Sequence, residues 1–267
     1  MQLHHIANAG VASTSGRTIA VIDPSDGQPY DEIQRGTAED IDAAVHAAQQ
    51  CYHSVWRKLA PAERGRLLMR LSAKITEHAE ELAAIEQRDC GKPTRQARAD
   101  AHALARYFEF YAGACDKLHG ETIPYPDGFS VLTWREPHGV TGHIVPWNYP
   151  MQIFGRCVGA ALAAGNVCVV KPAEDACLSL LRVAQLAVEV GFPAGALNLV
   201  TGYGHEVGDA LARHPGIQHI SFTGSPKVGT LIQQAAAERH CPVTLELGGK
   251  SPQIVFADAD LDAAVPA

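Results

Sequence analysis

Apolar side chains recur at helical spacing through much of the first third of the sequence. Thr37 and Asp40 form a capping-box pattern, and the apolar positions that follow them return every three or four residues, which predicts a helix. A second helical pattern begins at Pro61 and ends at Gly91-Lys92-Pro93, and a third covers residues 96–118. The first third of the chain is therefore predicted to be helical.

The pattern changes at Gly120, where two runs of β-prone residues flank a turn. Residues 121–125 and 129–135 surround the turn Pro126-Asp127-Gly128, and this arrangement predicts a β-hairpin. A hairpin edge carries unpaired backbone groups. It is therefore expected either to pair with another chain in an oligomer or to be a plain surface excursion, and the sequence leaves both alternatives open.

From Gly139 onward, short apolar runs of strand length alternate with helical patterns. Strands are predicted over residues 139–145, 167–170, 197–200, 219–222 and 243–247, and helices over residues 151–164, 178–190, 205–213 and 228–238. This alternation indicates βαβ units, whose right-handed crossovers place the loops after the strands along one ligand-binding edge. The expected fold class is α/β, with a Rossmann-like parallel sheet and flanking helices, an N-terminal helical layer and a protruding β-hairpin.

Composition and charge narrow the classes of partner. The chain has 267 residues, of which 46% are hydrophobic and 19% charged, as in ordinary soluble globular proteins. A formal net charge of -7 argues against nucleic acid or an anionic membrane as the main partner, because both need clustered lysine and arginine. The sequence has neither a signal-peptide pattern nor an apolar run of about 18 residues, so a cytoplasmic protein is expected.

The sequence offers neither a disulfide framework nor a metal motif. Its seven cysteines are odd in number and form no C-x-x-C pair, and its thirteen histidines include no H-E-x-x-H motif. His205-Glu206 begins such a motif, but Asp209 stands where the second histidine belongs. No metal site is expected.

The segment Phe222–Gly229 joins a predicted strand to a predicted helix through a tight glycine turn. Ser225 can cap the helix, and Pro226 suits its first position. The free N–H groups of a helix N-terminus attract a phosphate or pyrophosphate. The segment is therefore a candidate phosphate site, and a plain strand-to-helix turn is the alternative.

Better-known nucleotide motifs do not fit this sequence. A Walker loop needs lysine after its second glycine, but Gly229 is followed by Thr230, and Gly249-Lys250-Ser251 lacks the upstream glycine. None of the tyrosines is followed by lysine four residues later, as a short-chain reductase would require. The segment Gly202–Gly208 is one residue longer than a G-x-G-x-x-G fingerprint, so it is a second candidate turn on the nucleotide side.

Lys171 and Glu174 follow an apolar strand. A carboxylate at such a position can accept two hydrogen bonds from a ribose diol, and the neighbouring ammonium can donate to the same hydroxyls. The alternative is a solvated loop with a surface ion pair.

Two further polar residues lie at the end of a predicted strand or just after one. Asn148 lies in a loop stiffened by Pro146 and Pro150, and its amide can stabilise an oxyanion without titrating, unless it bonds its own backbone in a rigid turn. Glu246 ends an apolar strand, where burial is expected to raise the pKa of its carboxyl towards the range of a general base for water. The alternative for Glu246 is an ion pair with Lys250 in solvent.

Four motifs in series carry a close resemblance to the aldehyde dehydrogenase superfamily, over nearly the whole chain. They are Pro-Trp-Asn at 146–148, Lys-Pro-x-Glu at 171–174, Phe-Thr-Gly-Ser at 222–225 and Glu-Leu-Gly-Gly-Lys at 246–250. The opening helices and the hairpin also resemble the helical layer and the oligomerisation arm of that family. A homodimer or homotetramer of the full-length form is therefore implied.

The resemblance implies a role for each candidate residue. Asn148 matches the oxyanion-hole amide, and Glu246 matches the general base that activates the hydrolytic water. The implied cofactor is NAD rather than NADP, because the carboxylate of Glu174 would repel a 2′-phosphate. Gly229 belongs to the pyrophosphate turn, and the other residues expected to bind the cofactor are Val145, Trp147, Lys171, Glu174, Gly204, Gly208, Phe222, Gly224, Ser225, Val228 and Leu247.

The implied reaction is the NAD-dependent oxidation of a small-molecule aldehyde to a carboxylic acid through a covalent cysteine adduct. The family's nucleophilic cysteine lies well after the motif that begins at Glu246, so it is expected beyond Ala267. The chain is therefore expected to be a truncated form without turnover. The alternatives are a stand-alone NAD-binding fragment and, disfavoured by the failed lysine positions, a P-loop phosphotransferase.

The expected organisation follows from these patterns and from the resemblance. Residues 1–120 form the helical part of the NAD-binding domain, and residues 121–138 the oligomerisation hairpin. Residues 139–249 form the Rossmann-like core, and residues 250–267 begin a truncated catalytic domain with a first strand and loop.

Overall fold

A seven-stranded sheet with packed helices organises the chain in a computed structural model, which describes residues 1–265. The strands are β1 (His4–Ile6), β2 (Ala9–Val11), β3 (Thr18–Ile22), β4 (Pro29–Gln34), β5 (Thr122–Ile123), β6 (Val131–Leu132), β7 (Val140–Val145), β8 (Val167–Pro172), β9 (Leu197–Leu199), β10 (His219–Gly224) and β11 (Val243–Leu247). The helices are α1 (Ala38–Ser54), α2 (Pro61–Glu77), α3 (Ala79–Cys90), α4 (Thr94–Ala114), α5 (Pro150–Ala163), α6 (Leu178–Glu189), α7 (Asp209–Arg213), α8 (Pro226–Ala237) and α9 (Leu261–Ala264). The regular alternation from β7 to β11 confirms the predicted α/β fold class.

The order of the strands decides where a ligand can bind. The order across the sheet is β11-β10-β7-β8-β9-β1-β2. Neighbouring strands from β11 to β9 are parallel, whereas β1 runs antiparallel to both β9 and β2. The carboxyl ends of β7, β8, β10 and β11 therefore meet at one edge of the sheet.

The first 36 residues contain strands where the sequence pattern predicted none. Strands β1 and β2 extend the main sheet beyond β9, and β3 and β4 form a separate two-stranded sheet. In β3, Ile19 and Val21 are buried while the residues between and beside them are exposed. The prediction of a helical first third is therefore wrong before Thr37, because this two-residue alternation is too short to stand out beside the long helical patterns that follow.

Helices α1 to α4 form the predicted N-terminal helical layer. The capping box at the start of α1 is present, with the backbone N–H of Thr37 donating to the Asp40 carboxylate at 2.9 Å. The second helical run is divided at His78 into α2 and α3, which the sequence pattern did not predict. Helix α3 ends at Gly91, whose φ of 68° lies in the left-handed region that glycine adopts without strain.

The predicted hairpin is confirmed, although its strands are shorter than expected. Strands β5 and β6 pair antiparallel over two residues each. The large side chains around them are solvent-exposed, since Phe129 is 71% and Trp134 80% exposed. Whether the hairpin pairs with another chain stays a prediction.

The segment after β11 was expected to begin with a strand. Between residue 250 and residue 265 the structure contains only the single helical turn α9, and Ile254, Val255 and Phe256 are exposed. That prediction is wrong for the described residues, because apolar residues form a strand only where a neighbouring strand completes the hydrogen-bonded ladder. Residues 266 and 267 of the expected segment lie outside the described part of the chain.

Within residues 1–265, no helix is both long enough and apolar enough to cross a lipid bilayer.

Candidate active site

The loops after β7, β10 and β11 enclose a crevice of about 670 Å³ at the carboxyl edge of the sheet. Strand pairing aligns these loops, because Phe222 of β10 lies opposite Ile144 of β7 and Gly224 of β10 lies opposite Leu247 of β11. Among the residues that line the crevice are the predicted site residues Trp147, Asn148, Gly224, Ser225, Glu246 and Leu247. The structure therefore brings the candidate oxyanion amide, the candidate base and the glycine turn together.

The turn from β10 into α8 has the geometry expected of a phosphate site. The hydroxyl of Ser225 accepts a hydrogen bond from the backbone N–H of Val228 at 3.3 Å, and Pro226 occupies the first helical position. A Cβ on Gly229 would lie 2.6 Å from Cδ2 of Leu247, so glycine lets the first turn of α8 approach the end of β11 closely. The N-terminus of α8 is thus held against the crevice, and its remaining amide donors suit an anionic group.

Lys171 and Glu174 form a pair at the end of β8, the strand beside β7. The Lys171 ammonium lies 2.6 Å from the Glu174 carboxylate, and Lys171 is only 3% exposed. Burial acts to raise the pKa of the Glu174 carboxyl, but Lys171 and backbone amides outweigh it, so that pKa is lowered. The alternative of a solvated surface pair is therefore wrong for Lys171.

The second glycine turn contacts this pair. Residues Gly204–Gly208 form one turn of π-helix that continues into α7, so the helix predicted over residues 205–213 begins in a wider turn. The backbone amide of Gly204 lies near the Glu174 carboxylate and contributes to its lowered pKa. Gly204 is thereby linked to the ion pair, whereas no contact in the described residues requires glycine at Gly208.

In the loop that carries Asn148, this side chain is exposed, while its neighbours are hydrogen-bonded to α3 and α4. The Asn148 side chain is exposed and makes no hydrogen bond to any residue in the described part of the chain, so it does not bond its own backbone. The carbonyl of Trp147 accepts a hydrogen bond from Cys90 Sγ at 3.2 Å, and Gln96 donates to the Tyr149 hydroxyl at 2.6 Å. The amide is therefore free for a ligand while its neighbours are tied to α3 and α4.

The expected burial of Glu246 is not found. Its side chain is exposed, so the described residues do not enclose its carboxylate. Lys250 also forms no ion pair with Glu246 in residues 1–265, since its ammonium contacts the carbonyl of Gly249 at 3.3 Å. A strand-end position near a sheet edge did not imply burial.

Of the predicted cofactor residues, seven do not line the crevice: Val145, Lys171, Glu174, Gly204, Gly208, Phe222 and Val228. Val145 is 1% exposed and Phe222 4% exposed, and both belong to the hydrophobic core. The Phe222 ring lies directly beneath Gly224, where an added Cβ would come within 2.5 Å of it. Whether Val145 and Phe222 contact the cofactor stays a prediction. They support the turn from within the core.

Sequence reasoning missed Arg156, which lines both this crevice and an adjoining cavity of about 360 Å³. Arg156 lies on α5, and within residues 1–265 it forms no ion pair. Its position eight residues after Asn148, about two helical turns, could have indicated that it belongs to the same region. No group of three or more His, Cys, Asp or Glu residues in the described part of the chain could hold a metal ion.

None of the seven cysteines has the environment of a nucleophile. Burial raises the pKa of Cys51 to about 11 and the pKa of Cys90 and Cys157 to about 12. It also raises the pKa of the four others, Cys115, Cys168, Cys177 and Cys241. A catalytic cysteine needs the opposite shift, because the thiolate is the reactive form.

Comparison with known proteins identifies the family of the chain. A model of the aldehyde dehydrogenase family matches residues 11–267. The chain is 47% identical to hydroxyisobutyraldehyde dehydrogenase of Mycolicibacterium austroafricanum over 263 residues, which are 98% of this chain and 52% of that protein.

Solved structures also match this chain in sequence and in fold. A Burkholderia cenocepacia protein assigned to the aldehyde dehydrogenases is 73% identical, with a TM-score of 0.97, over 99% of this chain and 56% of that one. PnpE in complex with nicotinamide adenine dinucleotide is 43% identical, with a TM-score of 0.97, over 100% of this chain and 55% of that one. The fold defines an α/β protein with a Rossmann-like parallel sheet, and this chain belongs to the aldehyde dehydrogenase family. It spans about half the length of the relatives that it matches.

Proposed function

We propose that this chain is the dinucleotide-binding part of an NAD-dependent aldehyde dehydrogenase and that it supplies two groups for the chemistry. These groups are the amide of Asn148, which stabilises an oxyanion, and the carboxylate of Glu246, which acts as general base. The observation that carries the proposal is that both groups share one crevice with the capped N-terminus of α8.

The residues at the sheet edge fit a dinucleotide. The close approach of Gly229 to Leu247 and the serine cap at Ser225 leave amide donors of α8 for a pyrophosphate. The Lys171–Glu174 pair can hold a ribose diol, and the negative charge of Glu174 disfavours a 2′-phosphate. PnpE, which has the same fold, was solved in complex with nicotinamide adenine dinucleotide. NAD is therefore the proposed cofactor, in preference to NADP.

The chain's own residues would act on the two oxygens of the reaction. Bound NAD would accept a hydride from the aldehyde carbon. Asn148 would donate an Nδ2–H to the oxygen of that carbon as negative charge develops after thiolate attack. Glu246 would remove a proton from the water that hydrolyses the thioester. The thiolate would come from a cysteine other than the seven present here, because burial disfavours the ionised form of each of them.

The proposal can be tested in a hybrid enzyme, in which this chain replaces the matching segment of the Burkholderia cenocepacia protein. NADH formation would be measured by absorbance with a panel of small aldehydes, with the unmodified Burkholderia protein as the reference. We expect NAD-dependent turnover, and we expect Asn148→Ala to lower kcat by about 10²–10³-fold. A folded hybrid that binds NAD but oxidises no aldehyde would contradict the proposed function.

A second candidate function is NAD binding without turnover by the 267-residue chain alone. The raised pKa values of its cysteines favour this candidate, because they leave the chain without a reactive thiolate. We expect the purified chain to bind NAD weakly in a calorimetric titration and to oxidise no aldehyde. NAD-dependent turnover by this chain would refute the expectation.

The oligomeric state and the cytoplasmic localisation stay predictions. The exposed apolar side chains around the hairpin and in residues 254–256 support self-association of the isolated chain. A clean monomer in light scattering would contradict that expectation.

A further inference from the structure

Helix α3 carries two buried carboxylates that neither the sequence motifs nor the proposed function uses. Glu86 is 0% and Asp89 4% exposed, and both lie in the second half of the helix. Burial raises the pKa of both carboxyls, that of Asp89 to about 6. Buried carboxylates are costly unless their oxygens are hydrogen-bonded, so the partners of these two residues need an explanation.

Glu86 contacts the start of α5, the helix that follows the Asn148 loop. One carboxylate oxygen accepts a hydrogen bond from the backbone N–H of Met151 at 3.3 Å and from the Ser179 hydroxyl at 3.1 Å. The Met151 amide is one of the first N–H groups of α5, which have no partner inside the helix. A negative charge at this end of a helix is also favourable because of the helix dipole. Glu86 therefore holds the first turn of α5 through an amide three residues after Asn148.

Lys92 and Asp100 complete this buried group. The Lys92 ammonium lies 2.7 Å from Glu86 and 2.6 Å from Asp100, and Asp100 accepts a hydrogen bond from Gln152 of α5 at 2.6 Å. The same ammonium lies 4.8 Å from the centre of the Tyr149 ring. The Lys92 ammonium thus contacts Tyr149, the residue after Asn148, and the Asp100 carboxylate holds Gln152 near the start of α5.

Asp89 caps the start of α6 as Glu86 caps the start of α5. One oxygen accepts a hydrogen bond from the backbone N–H of Leu178, the first residue of α6, at 2.9 Å. The other accepts from the Tyr30 hydroxyl at 3.0 Å. Helix α6 follows the segment that carries Lys171 and Glu174. Two carboxylates one helical turn apart on α3 therefore cap the helix that follows the Asn148 loop and the helix that follows the Lys171–Glu174 segment.

We propose that α3 is a positioning element for the crevice, in which Glu86 holds the Asn148 loop and Asp89 holds the Lys171–Glu174 segment. The roles given to the two loops rest on the proposed function. The claim that α3 fixes their positions does not depend on it. Stability alone is a poor reason for this arrangement, because well-packed apolar residues stabilise a core as well as buried ion pairs do. A fixed placement of two separate loops relative to each other requires directional contacts of the kind observed.

The structural part can be tested by hydrogen–deuterium exchange in the 267-residue chain, without any assay of activity. Glu86→Gln keeps the size of the side chain but replaces one acceptor oxygen with an NH2 group, which cannot accept the hydrogen bonds that Glu86 receives. Asp89→Asn makes the same change at the start of α6. We expect amide protection to fall by about tenfold or more at residues 147–152 in the first variant and at residues 173–179 in the second. Glu80→Gln is the matched control, because Glu80 lies on the same helix in an exposed pair with Arg98.

A kinetic measurement in the hybrid enzyme distinguishes positioning from general support. We expect Glu86→Gln to lower kcat by about tenfold or more with a smaller change in KM for NAD, because it displaces the Asn148 amide. We expect Asp89→Asn to raise KM for NAD by about tenfold, with kcat within about twofold of the parent. If Glu86→Gln does not fold, Glu86→Asp replaces it, because it keeps the charge but withdraws it from the Met151 amide.

The outcomes separate the two proposals. Loss of protection that is uniform over the whole chain in both variants, or equal changes of kcat and KM in both, would overturn the positioning role. Unchanged protection at both helix starts would overturn it as well. Selective loss of protection in a chain whose hybrid shows no aldehyde oxidation would support the positioning of the loops and contradict the proposed function.

Discussion

Glu174 follows β8 and Glu246 lies near the end of β11 in the same sheet, yet their surroundings differ. Glu174 lies beside the buried Lys171 ammonium and a backbone amide of the second glycine turn, and its pKa is lowered although burial opposes this. Glu246 is exposed and has no ion-pair partner within residues 1–265. The first carboxylate is kept ionised and in place by this chain, as binding a ribose requires. The second carboxylate is solvent-exposed, so the described residues do not shield it from water.

The largest effect expected from this difference is on turnover. In the hybrid enzyme, Glu246→Gln should lower kcat by about 10²–10⁴-fold, because the variant cannot take the proton of the attacking water. Its affinity for NAD should stay within about twofold of the parent, as measured by calorimetry. An equal loss of NAD affinity would show that Glu246 belongs to the binding side of the crevice, and the contrast with Glu174 would disappear.

The next effect concerns the binding side. Lys171→Met should weaken NAD binding by about 10–100-fold, because it removes a charge-assisted hydrogen bond and leaves the Glu174 carboxylate without its cation. A titration of the 267-residue chain measures this directly. Lys58→Met is a control, since Lys58 is an exposed lysine that does not line the crevice and has no ion pair in the described residues. Equal losses in the two variants would argue for a general charge effect and against the ribose assignment.

A smaller effect is expected on cofactor choice. Glu174→Thr should reduce the preference for NAD over NADP by about fivefold to tenfold, because it removes the negative charge that repels a 2′-phosphate. The ratio of the two dissociation constants is the measurement. If the ratio does not change, Glu174 does not contact the ribose.

The smallest effect is the pH dependence of stability. The pKa of Glu174 is depressed in the folded chain, so its contribution to the free energy of unfolding is present above the carboxyl's ordinary pKa. That contribution is lost as the pH falls through the folded value. Urea unfolding of the wild-type chain and of Glu174→Gln at several pH values should therefore show a shallower acid dependence in the variant. Parallel pH profiles would mean that the pair with Lys171 does not hold Glu174 ionised.

The parts of the fold that could be predicted are those with a long or chemically specific pattern. The alternation from β7 to β11, the Thr37–Asp40 capping box and the Ser225 cap depend on local sequence, and the structure contains all three. The motifs also placed Asn148, Gly224 and Glu246 in one crevice correctly, because parallel strands share a carboxyl edge.

The parts that could not be predicted depend on distant partners. Strands β1 and β2 have three residues each. Strand β1 joins the sheet by pairing with β9, nearly two hundred residues away, and β2 pairs with β1. The burial of Val145 and Phe222 and the exposure of Glu246 follow from how the helices cover the sheet, which no local pattern states. The carboxylates of α3 were missed for the same reason, since only the folded chain brings Glu86 to the start of α5.

The pairing of β1 with β9 has a practical consequence for anyone who shortens the protein. His4 of β1 accepts a hydrogen bond from the backbone N–H of Thr201, which precedes the second glycine turn. A version trimmed to begin at the first helix would leave β9 as an open edge strand beside that turn and would invite intermolecular pairing there. A shortened version that keeps this edge covered must therefore include β1 and cannot begin at α1. A purification tag is better placed at the carboxyl terminus.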